Sequence, residues 1–136
     1  MHDIGKLGVS NTVLDKNGRP SEDEWIAIKR HPELGRIILS KIAALQDTAV
    51  IAGNHHERLD GNGYPRGIAG QYIDLDTRIV TVADIFDALT ADRPYRKAMT
   101  ITEALELMER DLNIAIDPSC FAALQRGLVK MQRVAA

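Results

Sequence analysis

Only four histidines occur in the 136 residues, and none is spent away from a carboxylate or a turn. His2 precedes Asp3, His31 precedes Pro32 and Glu33, and the pair His55-His56 precedes Glu57. Imidazole and carboxylate together form the ligand set for Zn, Fe, Mn or Ni. The adjacent pair His2-Asp3 suggests more. A carboxylate has two oxygens and can bridge two cations while the neighbouring imidazole binds one of them. Two cations about 3.5–4 Å apart stabilise both the attacking and the leaving oxygen of a phosphoryl displacement.

Other residues fit the same chemistry. Asp84 and Asp87 stand three apart on roughly one helix face, and Asp84 lies in the apolar stretch Val82-Ala-Asp-Ile-Phe86. A carboxylate in such a setting is costly unless it is paired or metal-bound. Arg93, Arg96 and Lys97 form a compact basic cluster in a turn, suited to gripping phosphate oxygens. Lys6 follows His2-Asp3 closely, just past an expected helix end, within reach of a phosphate held on metals. The segment Asp60-Gly-Asn-Gly-Tyr-Pro65 uses two glycines for freedom and a proline for stiffness, and is long for a simple helix connection.

These residues need elements to position them, and the elements read as helices. Ser21-Glu-Asp-Glu24 is a capping box opening a helix with Trp25, Ile26 and Ile28. Pro32 suits the first turn of a second helix, with Leu34, Ile37, Ile38 and Ile42 on one stripe. Asp47 is the expected cap of a third, running to His55 and His56. A fourth begins near Asp76 and carries Ile79, Val80, Val82, Phe86 and Leu89. Thr100-Ile-Thr-Glu103 is another capping box, and Asp117-Pro118 opens a last helix with Leu124, Leu128 and Met131. Residues 15–20 and 60–70 are loops, too short to link domains. No window alternates with the period of two that a strand requires, so the expected class is all-α.

Composition narrows the function. With 17 Lys and Arg against 19 Asp and Glu, the net charge is −2. That excludes an electrostatic case for polymeric nucleic acid and a polybasic membrane anchor. The lone Cys120 excludes a disulfide framework or a Cys-rich zinc site. No apolar run nears the ~20 residues that span a bilayer, and the first residues lack the apolar core of a signal peptide. A cytoplasmic protein with no membrane insertion is the expectation.

The ordered set His2-Asp-Ile-Gly-Lys6, His31-Pro-Glu-Leu-Gly35, His55-His-Glu-Arg-Leu-Asp-Gly-Asn-Gly-Tyr-Pro65, Ala83-Asp-Ile-Phe-Asp-Ala-Leu-Thr90 and Arg93-Pro-Tyr-Arg96 resembles the signature of the HD-GYP family. That family is a branch of the HD-domain metal-dependent phosphohydrolases, and the resemblance covers nearly the whole chain. It implies an HD-type helical bundle around two or three divalent metal ions, often iron or manganese. It implies hydrolysis of the bacterial second messenger cyclic di-GMP to linear pGpG, and onward to GMP in some members. Carried over by position, the metal ligands would be His2, Asp3, His31, His55, His56 and Asp84. Asp3 and Lys6 would serve catalysis, with Asp3 as the bridge. Lys6, Arg93 and Arg96 would contact phosphate. Gly63-Tyr64-Pro65 would be the loop that contacts substrate and GGDEF-type cyclase domains. A receiver or sensor domain commonly precedes such a unit.

The resemblance also implies helices ahead of the His-Asp motif, the first of them carrying a further metal-binding His. All four histidines here are already assigned, so residues 1–136 are expected to be a partial, N-terminally truncated HD-GYP domain. Faces carrying Ile37, Ile38, Val50, Ile79 and Val82 would then stand open to water, and the chain alone would be poorly soluble or self-associate. The rival to an active enzyme is a catalytically impaired signalling module that binds cyclic di-GMP or contacts a GGDEF domain.

Overall fold

Local capping chemistry starts most of the long helices, as a computed structural model describing residues 1–92 and 96–134 shows. A 3-10 helix over Ile4–Gly8 is followed by a one-turn helix α1 (Asn11–Leu14). Helix α2 (Glu22–Ile28) opens on the full Ser21–Glu24 capping box. Helix α3 (His31–Leu39) carries Pro32 in its first turn. Helix α4 (Gln46–Asn54) ends at His55. Helix α5 (Leu75–Thr90) is capped by Asp74, α6 (Ile101–Glu109) by the Thr100–Glu103 box, and α7 (Pro118–Val134) follows Asp117. Among the described residues there is no strand beyond one isolated bridge between Leu112 and Ile116. The all-α expectation holds, and no described helix is long and apolar enough to cross a membrane.

Two apolar clusters hold these helices. Val82 of α5, Met108 of α6 and Cys120 and Phe121 of α7 pack with Ala115 and Ile116, joined by Ile85, Phe86 and Leu105. Leu39 of α3 and Ala49 and Ala52 of α4 pack with Ile4 and Leu45. Contacts of α4 with α5 connect the two. The ends of α3 and α4 and the middle of α5 meet between the clusters, and the histidines lie there.

Several expectations are corrected. Asp47 caps nothing: a 3-10 turn over Ala43–Leu45 leads into α4, and Asp47 falls in its first turn. Lys6 lies inside the Ile4–Gly8 turn and not beyond a helix end. The expected stripe of α3 is not its buried face. Gly35 and Leu39 face inward, while Ile37 and Ile38 are exposed and Ile42 lies beyond the helix. The reason is close packing of the 3-10 turn on α3. A Cβ on Gly5 would stand 1.9 Å from the His31 carbonyl oxygen, so this approach admits only glycine. Of the faces expected to stand open, Ile37, Ile38, Val50 and Ile79 are exposed, but Val82 is only 2% exposed because α6 and α7 cover it.

Candidate metal centre and substrate cleft

The Gly5–Gly35 contact has a chemical consequence: it seats Asp3 over the start of α3. Asp3 Oδ1 lies 3.2 Å from His31 Nε2 and 3.8 Å from His55 Nε2. Both rings are buried, and each is aimed by its own backbone. His31 Nδ1 is 2.7 Å from the Ile28 carbonyl, and His55 Nδ1 is 2.9 Å from the Ala52 carbonyl. A carbonyl only accepts, so Nδ1 carries a proton in each ring and Nε2 is the atom turned toward Asp3. Thr81 of α5 donates to the His55 carbonyl at 2.9 Å and fixes that corner.

Three possible ligand atoms therefore converge. His31 Nε2 and His55 Nε2 are 3.3 Å apart, and Asp3 Oδ1 is buried without a hydrogen-bond partner among the described residues. Atoms grouped in this way can take a cation between them. Ligand atoms of Asp3, His31, His55 and His56 all lie within 4.8 Å of one another. This donor set, with its histidines oriented through Nδ1, fits a divalent ion.

Electrostatics keep the set ready. Burial works to raise the Asp3 pKa, but the adjoining His31 and His55 rings and the Lys6 ammonium outweigh it and hold the carboxyl far below its ordinary range. Burial, with the adjoining His55 and His31 rings, pushes His56 down to about 3, so its ring is neutral at physiological pH. Neutral imidazole is the form that binds a cation.

His2 and Asp84 adjoin the four. His2 Nε2 is 3.6 Å from Asp3 Oδ2 and 3.5 Å from Asp84 Oδ1. Lys6 Nζ donates to Asp3 Oδ2 at 2.5 Å. The other carboxylates that neighbour histidines in sequence do different work. Glu33 pairs with Arg36 three residues on along α3. Glu57, 1% exposed, accepts from the amides of Arg66 and Ile68 at 2.8 and 3.0 Å and so ties down the loop after α4.

That loop carries Gly63, Tyr64 and Pro65. A Cβ on Gly63 would meet the Arg58 nitrogen and the Glu57 Cα at 2.5 Å, so only glycine lets the loop fold back so tightly. The Tyr64–Pro65 peptide bond is cis. The Tyr64 ring stacks on His56, with centroids 4.7 Å apart and planes 28° apart. Burial holds its phenol above the ordinary range, aided by Asp84 and Asp3, so the hydroxyl stays protonated.

An open cleft of about 1100 Å³ lies over the cluster, with His2, Asp3, His31, His56, Tyr64 and Asp84 in its lining. Asp87 and Arg96 line it too. Arg96 donates to the carbonyls of Ala88 and Leu89 at 2.5 and 3.0 Å, closing the C-terminal end of α5. Arg93 lies outside the described residues. Sequence reasoning passed over three further lining residues, Lys16, Arg19 and Trp25. The available signal was a loop carrying two cations, Lys16-Asn-Gly-Arg19, ahead of the helix that carries the only tryptophan.

Residues 1–120 match the HD domain family. The chain belongs to that family, in its HD-GYP branch. HD-domain phosphohydrolases are metal-dependent, in keeping with the donor set above. This HD domain is 57% identical over 94% of its length to "3'3'-cGAMP-specific phosphodiesterase 3" of Vibrio cholerae serotype O1, covering 28% of that protein. It is 43% identical over 98% of its length to "Cyclic di-GMP phosphodiesterase response regulator RpfG" of Xanthomonas campestris pv. campestris, covering 36% of it. A crystal structure of a cyclic GMP-AMP specific phosphodiesterase from V. cholerae aligns with 93% of this chain and 28% of its own, at 50% identity and a TM-score of 0.47. The HD domain thus spans about a third of the length of these relatives.

Proposed function

We propose that this HD domain hydrolyses a cyclic dinucleotide, opening cyclic di-GMP to linear pGpG and carrying the product on to GMP. The observation that carries the reading is the convergence of the His31 and His55 Nε2 atoms and a partnerless Asp3 oxygen beneath a cleft of about 1100 Å³. Sites that enclose a small ligand run to roughly 300–1000 Å³, so the cleft has room for two nucleotides.

Two or three divalent ions, iron or manganese, would be held by His2, Asp3, His31, His55, His56 and Asp84. Such ions supply Lewis acidity and a water of lowered pKa. Asp3 presents its two oxygens to different neighbours, Oδ1 to His31 and His55 and Oδ2 to His2, which suits a bridging role. Lys6 stands beside it and offsets charge growing on the phosphoryl oxygens. Tyr64 lines the cleft against His56, and its loop, Gly63, Tyr64 and Pro65, would contact substrate, with Arg93 and Arg96 as phosphate contacts. The name "response regulator" on one relative supports control by a receiver domain, and the Gly63–Pro65 loop remains the candidate contact for GGDEF domains.

A second substrate is favoured by one observation: the relative at 57% identity is named for 3'3'-cGAMP. The two substrates differ at one purine. Chromatography of both after incubation with the manganese- or iron-loaded protein tests the reading. Linear products that vanish in Asp3→Ala, together with bound metal, are expected. Full metal occupancy without hydrolysis of either dinucleotide would favour the signalling-module alternative.

A further inference from the structure

We infer that the α1–α2 loop and Trp25 form the subsite for the half of the substrate that is not being cleaved: Lys16 and Arg19 take its phosphate, and Trp25 takes its base. The inference rests on the dinucleotide reading above. Such a substrate carries two phosphodiesters. When one lies at the His–Asp cluster, the other brings a second negative charge against the cleft wall and needs a cation there.

The described cations lining the cleft are Lys6, Lys16, Arg19 and Arg96. Lys6 is committed to Asp3 at 2.5 Å, beside the phosphate to be cleaved. Arg96, held against the Ala88 and Leu89 carbonyls, is already placed above as a phosphate contact. Lys16 and Arg19 are left. Lys16 is positioned and not loose: its Nζ donates to Glu24 Oε2 at 2.6 Å, and the same Glu24 oxygen accepts from the Ser21 amide at 2.6 Å in the capping box of α2. Arg19 is exposed and forms no ion pair among the described residues. Of the charged residues in 15–24, Lys16 and Arg19 are the ones that line the cleft, while Asp3, Asp84 and Asp87 stand at the cluster end. Like charge at one end and opposite charge at the other orient a ligand of two phosphates.

Trp25 supplies the base contact. It is 44% exposed and faces the cleft, where burying an indole against a purine removes apolar surface from water. Val13 and Pro20 extend the apolar lining on this side. A line of rings joins it to the cluster: Trp25 meets Tyr64 edge to face at 6.1 Å, and Tyr64 stacks on His56 at 4.7 Å.

Trp25 is the only tryptophan, so its fluorescence reports the subsite without turnover. The metal-loaded chain is titrated with a hydrolysis-resistant bis-phosphorothioate of cyclic di-GMP, by fluorescence and calorimetry together, with GMP as a one-phosphate comparison. Both replaced cations stand on a surface loop, and circular dichroism checks that the variants fold. The analogue should change Trp25 emission. Lys16→Ala/Arg19→Ala should weaken its binding by about tenfold or more, while Lys16→Arg stays within about threefold. GMP, with no second phosphate, should lose less than about twofold in the double variant. Equal analogue affinity in wild type and double variant, or calorimetric binding with unchanged emission, overturns the subsite and leaves the dinucleotide reading standing. No binding to the wild type overturns both.

Discussion

The His31 and His55 rings point Nε2 at Nε2 across 3.3 Å, each with Nδ1 set against a backbone carbonyl. Asp3 Oδ1 lies 3.2 Å from His31 Nε2 and has no hydrogen-bond partner among the described residues. These three atoms are brought together only in the folded state, so a cation bound between them should stabilise the fold. At a free metal concentration about a hundred times Kd the gain is about 2.7 kcal/mol. Thermal unfolding should shift upward with added Mn²⁺ and fall back with chelator. In His55→Ala the shift should largely disappear. An equal shift in wild type and variant would place the metal elsewhere.

Gly5 controls that geometry from outside it. In Gly5→Ala the new Cβ would overlap the His31 carbonyl and stand 2.5 Å from the Gly35 nitrogen. The 3-10 turn must lift off α3 and take Asp3 with it. A loss of about 1–3 kcal/mol is expected, with lower metal stoichiometry. Gly127→Ala is the contrast, since nothing lies within 4 Å of that Cβ in α7. There alanine should add about 0.5–1 kcal/mol, because glycine is a poor helix former. Urea unfolding and metal analysis of both variants distinguish a steric effect from a general one.

The helices were legible because their signals are local. Ser21–Glu24, Thr100–Glu103 and Asp117-Pro118 each satisfy their own backbone within three residues, and all three start helices where expected. The facing of α3 was not legible. Its inward side is chosen by the Gly5–Gly35 approach, a contact between segments thirty residues apart. Glu57 illustrates the same limit at the site. Its place after His55-His56 suggested a carboxylate beside the metals, yet its partners are amides nine and eleven residues on. Lys16 and Trp25 were missed because membership of the cleft wall depends on where α2 packs.

Glu57 should therefore act on stability and loop position. Its two oxygens each accept an amide hydrogen in a buried place. Glu57→Gln replaces one acceptor with a donor facing another donor. Leaving one buried amide unsatisfied costs about 1–3 kcal/mol, and the loop that carries Tyr64 loses an anchor. Denaturant unfolding should show that loss, and the Tyr64 ring should part from His56 in a crystal structure. A Gln variant as stable as wild type would mean that the loop holds itself.

Acid should remove a different contribution, at the start of α7. Burial acts to raise the Asp117 pKa, but the Cys120 amide, the Arg78 guanidinium at 3.0 Å and the Ser119 amide outweigh it, so the carboxyl lies below its ordinary 3.8. A carboxyl depressed by folding stabilises the protein fully above its unfolded pKa. That contribution is lost as pH falls through the folded value. Asp117→Asn keeps a good cap and removes only the charge. At pH 7 the variant should be less stable by about 1–2 kcal/mol, the value of a charged hydrogen bond over a neutral one. The gap should hold down to about pH 4 and narrow below it. Chemical unfolding of both proteins from neutral pH downward measures the gap directly. A difference that stays constant into strong acid would show that the Asp117 charge contributes nothing and that the cap alone sets the start of α7.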